Sequence, residues 1–262
     1  MLFYLEKLTN GSSKGVMKKV YLFLFVFIAI VCQSQNGRMK VNTFNTPLLT
    51  LSSAMAFNSN GTLPSITNGV LTVTDNSAGE ARSATFTQKI NPTTNWWLNY
   101  TYTASGNKSA DGLAVVIHND PRGIAAVGGC GGSLGCGVLD SYCGSYGSKI
   151  TPSIDFEMNL YTSNTKGIIL NTNGNIKGYV ATGTLDIASG NPIDVLMKYN
   201  ATTTTLTVIL TDNVAGTSWT ATYTVNISTV VGASAYLTFS GGAGSLTATQ
   251  TISKVYFRGA KG

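Results

Sequence analysis

Apolar positions in this chain recur at every second residue or in short unbroken runs, and no long stretch shows the spacing of an amphipathic helix. The clearest run is Gly112 to His118, where β-branched Val115, Val116 and Ile117 lie between Asp111 and the turn formers Asn119, Asp120, Pro121 and Gly123. It is too short for an ordinary helix and predicts a buried strand with a carboxylate at its mouth. TNGVLTVT around Val70 alternates apolar and polar residues, and SATFTQKI follows it. Trp96, Leu98, Tyr100 and Tyr102 occupy alternate positions, so one face of that strand belongs to a core.

Further strands are expected near Ser153 to Asn159, Gly167 to Leu170, Pro192 to Tyr199, Thr205 to Thr211, Ser218 to Val225, Ser234 to Ser240 and Thr249 to Phe257, separated by turn formers such as those of Asp212 to Gly216. A dozen or so strands without intervening helices predict an all-β body of two packed antiparallel sheets. The sequence has no internal repeat and no interdomain linker.

Between the buried strand and SIDFEMN lies Gly128 to Gly137, with six glycines in ten positions. One turn needs fewer, so the segment reads either as backbone that must take positive φ or approach a ligand closely, or as a mobile surface loop.

The 262 residues suffice for a sizeable core in one domain. Only 11% are charged, giving the polar but weakly charged surface common in extracellular β proteins. Part of the +6 net charge lies at the start, where Met17, Lys18 and Lys19 precede an apolar run from Val20 to Val31, followed by the small residues Cys32 and Ser34. This is the pattern of a secretory signal. The run is shorter than the roughly 17 to 25 residues of a membrane-spanning helix, so no transmembrane anchor is expected. The reading is a leader over residues 1–34, a lead-in over 35–49, a domain over 50–258 and a tail over 259–262, in a protein exported to the medium or the cell surface. Beyond the leader the excess positive charge is small and scattered, which excludes a nucleic-acid footprint.

Cys130, Cys136 and Cys143 all lie in or beside the glycine-rich stretch. In an exported protein two of the three are expected to pair and one to stay free. Their spacing fits no common zinc pattern, and the chain's one histidine, His118, lies in the preceding strand. That lone histidine also has no partner motif for a serine triad.

The order of ITNGVLTVT, SATFTQKI, ADGLAVVIHNDPRG, GGCGGSLGCG, SIDFEMN, the KYN and TTLTVILTD hairpin and AYLTFSGGAGSLTATQTIS resembles the legume-type lectins, in particular their bacterial relatives, over about residues 50–258. The resemblance implies a concanavalin-like jelly-roll sandwich with a sugar site at one rim. It assigns hydrogen-bond acceptance from sugar hydroxyls to Asp111, a cis peptide to Ala110–Asp111, an N–H donor to Gly131 or Gly132, and a further wall to the Gly241–Gly244 segment through Gly241 and Gly242. Tyr142 and Tyr146 are candidates for an aromatic platform.

The family's metal loop is matched only at its beginning. Asp155 and Glu157 keep its two acids at alternate positions, on one strand face. Asn159 then stands where an aromatic is expected, Tyr161 where an asparagine is expected, and Lys166 near the histidine position. The resemblance therefore implies no transition-metal site. It leaves open a calcium site on Asp155, Glu157 and Asn159, with Asn159 or Asn164 filling in for the family asparagine at the sugar.

SIDFE also resembles the Glu-x-Asp-x-Glu strand of some glycoside hydrolases, but Ser153 stands at the nucleophile position and cannot replace a carboxylate. The expectation is a non-enzymatic glycan-binding protein, whose weak single sites would gain from homo-oligomerisation. The rival is a structural or adhesive sandwich without a working sugar site.

Overall fold

A computed structural model describes residues 48–139 and 147–262. Among these described residues, thirteen strands form two antiparallel sheets. They are β1 (Met55–Ser59), β2 (Ser65–Thr67), β3 (Val70–Asp75), β4 (Glu80–Phe86), β5 (Trp96–Ser105), β6 (Gly112–His118), β7 (Ser153–Asn159), β8 (Gly167–Thr172), β9 (Ile193–Asn200), β10 (Thr205–Asp212), β11 (Thr217–Thr224), β12 (Tyr236–Ala243) and β13 (Thr249–Arg258). A short helix, α1 (Ile227–Val231), joins β11 to β12, so the expectation of no intervening helix is corrected. Its ISTVV sequence is rich in β-branched residues and carries no helical signature.

The six-stranded sheet runs β1-β4-β12-β6-β7-β8 and the seven-stranded sheet β11-β10-β9-β5-β13-β3-β2. The alternation along β5 turns Trp96, Leu98, Tyr100 and Tyr102 into the space between the sheets, all buried. Tyr100 meets Phe239 of β12 edge-on at 5.4 Å, an aromatic contact that ties the two sheets together. Trp96 packs against Tyr199 and Phe257 at 5.6 and 5.8 Å. The body extends past both ends of the 50–258 span, for buried Leu49 bridges to Phe257 and Lys261 bridges to Ile90.

Strands β6 and β7 are buried on both faces. Their inner face joins the main core, while their outer face lies under a roof. Ala114 and Val116 of β6 pack there with Ala126, Leu134, Cys136, Ile150 and Ile176 from the covering segments. The glycine-rich segment supplies part of that roof and is largely buried, in contrast to the surface-loop reading. No helix among the described residues is long and apolar enough to cross a membrane.

Candidate functional site

Asp111 stands at the entry of β6, and its peptide bond to Ala110 is cis, as the resemblance implied. Its backbone is held on two sides. The Asp111 N–H donates to Gly242 O of β12 (3.2 Å), and Asp111 O accepts the N–H of Leu160, just past β7 (2.7 Å). The side chain is 7% exposed, and its Oδ2 accepts the Gly244 N–H at 2.6 Å.

Three glycines bring their backbone near this carboxylate, Gly244 most tightly. A Cβ on Gly131 would lie 3.6 Å from Asp111 Oδ2, one on Gly132 3.7 Å from Oδ1, and one on Gly244 3.1 Å from Oδ2. Gly131 also has φ +59°, a left-handed conformation that favours glycine. The structure thus brings together Asp111 and the Gly131–Gly132 backbone, two of the predicted pieces.

Gly241 and Gly242 fall elsewhere than expected: both are buried residues of β12, not of a loop beyond it. A Cβ on Gly241 would meet Val73 and Thr74 of the opposite sheet, so this residue faces the core. One on Gly242 would come 2.5 Å from Gly131 O, so its bareness seats the glycine-rich segment. Gly242 meets Asp111 only through its backbone oxygen, and the residue that bonds the Asp111 carboxylate is Gly244, the last glycine of FSGGAG.

Sequence reasoning also missed Leu139. It is 46% exposed, its N–H donates to Ser133 Oγ at 2.9 Å, and its side chain lies 3.2 Å from where a Gly132 Cβ would be. It gives the rim an apolar wall beside the carboxylate. Tyr142 and Tyr146, the expected platform, lie outside the described residues, as does Cys143. Cys130 is disulfide-bonded, whereas Cys136 is a buried free thiol.

Behind Gly244 stands a charged support. Gly79 N–H donates to Gly244 O at 2.9 Å, and β4 then begins with Glu80. Buried Arg82 pairs with Asp75 at 2.7 Å and with Glu80. Burial, reinforced by the hydrogen bond with Asp75, pushes the Glu80 carboxyl up to about 8, while that hydrogen bond holds Asp75 below its usual range.

Asn159 is fully buried and spends its amide on its own loop. Its Nδ2 lies 2.7 Å from Asn164 Oδ1, 2.8 Å from Thr165 O and 2.9 Å from Tyr161 O, and its Oδ1 accepts the Tyr161 N–H at 3.3 Å. Asn159 and Asn164 therefore organise the turn after β7, and neither the Asn159 amide nor the Asn164 oxygen is directed at a ligand.

Asp155 and Glu157 share the roofed face of β7 and are fully buried. Asp155 Oδ2 takes the Gly174 N–H (2.9 Å) and lies 3.0 Å from Ser153 Oγ, whereas its Oδ1 is buried without a hydrogen-bond partner. Both Glu157 oxygens lie 3.2 Å from Asn171 Nδ2. Burial pushes Asp155 up to about 7, and burial with the neighbouring Asp155 charge pushes Glu157 up to about 9. This set does not fit calcium. The groups around the acids are mainly N–H donors that would face a cation, and the following turn contributes no acid. No group of three or more His, Cys, Asp or Glu among the described residues could hold a metal ion.

The family model for the legume lectin domain matches residues 42–261. A lectin from Bauhinia forficata, in complex with GalNAc, is 19% identical over 81% of this chain and 94% of its own, with a TM-score of 0.65. Lectin II from Ulex europaeus is 21% identical over 81% and 95%, with a TM-score of 0.63. Arcelin-5, a lectin-like defence protein from Phaseolus vulgaris, is 18% identical over 80% and 93%, with a TM-score of 0.62. Identity at this level speaks for the fold, and the fold is the expected sandwich of two antiparallel sheets.

Proposed function

The chain belongs to the legume lectin domain family, and from that premise we propose that it binds saccharides reversibly at the Asp111 rim. One observation carries the reading: the Asp111 carboxylate, fixed by the Gly244 N–H, lies within 4 Å of where side chains on Gly131 and Gly132 would begin. A sugar ring offers vicinal hydroxyls as donors and one apolar face. Asp111 accepts from the hydroxyls, a backbone N–H of the Gly131–Gly132 pair donates to a ring substituent, and Leu139 covers the apolar face. The Bauhinia lectin's complex with GalNAc supports a ligand of hexose size.

The mechanism is binding without bond cleavage. Asp155 and Glu157, which a hydrolase would need at an open cleft, are buried beneath the roof. Neither sugar nor metal reaches them in this reading, and the Asp111 pose depends on Gly244 and the Leu160 N–H in place of an ion. Export of the protein, carried by Lys18, Lys19 and the Val20–Val31 run, belongs to the same proposal. So does self-association at a surface, which would multiply weak single-site affinities.

A glycan-array screen of the protein, run with and without calcium and repeated on Asp111→Ala, tests the reading. The expected result is binding that needs Asp111 and ignores calcium. Silence on every glycan would favour a structural or adhesive sandwich, and release of reducing sugar would favour a hydrolase.

A further inference from the structure

The outer face of the seven-stranded sheet carries features that the Asp111 rim does not use. Strand parity along β5 buries Trp96 and leaves Trp97 42% exposed on that face. Across the strands, Trp97 pairs with Arg258 of β13 on one side and with Lys198 of β9 on the other, so an exposed indole lies between two cations in one row. The next row holds Tyr256, 47% exposed, opposite Asn99. Trp97 and Tyr256 are thus diagonal neighbours on adjacent strands, roughly 7 to 8 Å apart by backbone.

Beside Tyr256 the face dips into a groove of about 350 Å³ lined in part by Asn99, Asp194, Thr211, Lys254 and Tyr256. A register shift between Ser253 and Tyr256, with Lys254 at φ +51°, breaks the alternation and puts the Lys254 side chain into that lining. Thr101 Oγ1 holds Asp194 Oδ1 at 2.7 Å, and Asn213 Nδ2 holds its Oδ2 at 3.0 Å. Lys198, Lys254 and Arg258 have no ion-pair partner among the described residues.

We propose that this face is a second carbohydrate-binding surface, specific for acidic polysaccharide chains. Trp97 and Tyr256 stack on successive sugar rings, while Arg258, Lys198 and Lys254 meet carboxylate or sulfate groups along the chain. Asp194 and Asn99 take hydroxyls at the groove. Charge selects this occupant: three cations against one carboxylate favour an anionic ligand and oppose a second copy of the same face. The aromatic pair selects sugar rings over a bare polyanion, and three cations are few for a duplex nucleic acid.

The test is calorimetric titration of polygalacturonate and of neutral dextran into the protein and into Asp111→Ala. Trp97→Ala, Tyr256→Ala and the triple change Lys198→Gln, Lys254→Gln, Arg258→Gln are measured beside them. All these side chains are exposed, so melting temperatures should stay unchanged and report intact folding. The expected result is polygalacturonate binding of equal strength with and without Asp111, about tenfold weaker when either aromatic is removed and lost in the triple variant. Dextran should give no Asp111-independent signal. Failure of polygalacturonate to bind overturns the proposal, as does binding that disappears with Asp111→Ala. Duplex DNA binding as tightly, with neither ligand sensitive to Trp97→Ala, would reduce the face to general polyanion attraction and overturn it too. A dimer in sedimentation that Trp97→Ala dissolves would make the occupant a second copy.

Discussion

The N–H of Gly244 donates to Asp111 Oδ2 at 2.6 Å across 133 positions of sequence. That bond joins the end of β12 to the entry of β6 and sets the direction of the Asp111 carboxylate at the rim. Gly244→Ala would place a methyl 3.1 Å from the same oxygen. The carboxylate must shift by a few tenths of an ångström, whereas the strands are untouched. Sugar affinity is expected to fall about tenfold, because hydrogen bonds to charged groups are strongly directional. The melting temperature should move little, and calorimetry beside a thermal melt separates the two effects.

Gly242→Ala should act in the opposite sense. Its Cβ would meet Gly131 O at 2.5 Å, backbone against backbone, so neither partner can yield cheaply. The glycine-rich segment must lift off β12, at a cost of roughly 1 to 3 kcal/mol. A lowered melting temperature, with faster proteolysis between residues 128 and 139, is the expected outcome.

The contrast between these glycines shows what was legible. FSGGAG marked the right region, but which glycine meets Asp111 depends on strand parity and on where β12 ends, and the string of small residues specifies neither. Trp96 and Trp97 differ in the same way: period-two alternation predicted a buried Trp96, and the exposed partner follows from that period. β1 and β2 were missed because MAFNS and SIT offer little alternation. The roof was not readable at all. Leu134 and Cys136, Ile150, and Ile176 come from three separate segments, and only tertiary packing lays them over Ala114 and Val116. Asp155 and Glu157 were placed correctly on one strand face, but their burial follows from that roof. Asn159, expected at a ligand, is instead consumed by its own turn.

His118 offers a clean measurement because the chain has one histidine. It is buried, its Nδ1 accepts the Asp120 N–H at 3.3 Å, and its Nε2 lies 3.0 Å from Thr238 Oγ1, so the neutral ring carries its proton on Nε2. Burial pushes its pKa down to about 4 from 6.5. Between those values the unfolded chain binds the proton and the folded chain does not, so stability decreases as pH falls through that window. The loss from this group is up to about 3 kcal/mol. The imidazole carbon signal in NMR should not titrate between pH 5 and 8; a midpoint near 6.5 would contradict the buried neutral ring.

Asn159→Ala removes the amide that gathers Tyr161, Asn164 and Thr165. Leu160, whose N–H holds Asp111 O, is the next residue, so the loosened turn reaches the rim. A stability loss of roughly 2 kcal/mol is expected, together with weaker sugar binding. Denaturant unfolding and calorimetry would read both, and a loss of stability with unchanged affinity would show that the turn is uncoupled from the site.

The acids under the roof give an opposite pH dependence to that of His118. Glu157 is raised from 4.5 to about 9 and Asp155 from 3.8 to about 7, so over that range the folded chain holds protons that the unfolded chain has released. Their contribution is fully present at pH about 4 and is lost as pH rises to about 9. The melting temperature should therefore decline from about pH 7.5 to 9, above the window in which His118 acts; Glu80, raised to about 8, adds to that decline, and Glu157→Gln should reduce it. Added calcium should not restore it, because Gly174 N–H and the Asn171 amide already face the carboxyls. A calcium-induced rise in melting temperature at pH 8 that Asp155→Asn abolishes would mean that the pair holds an ion after all.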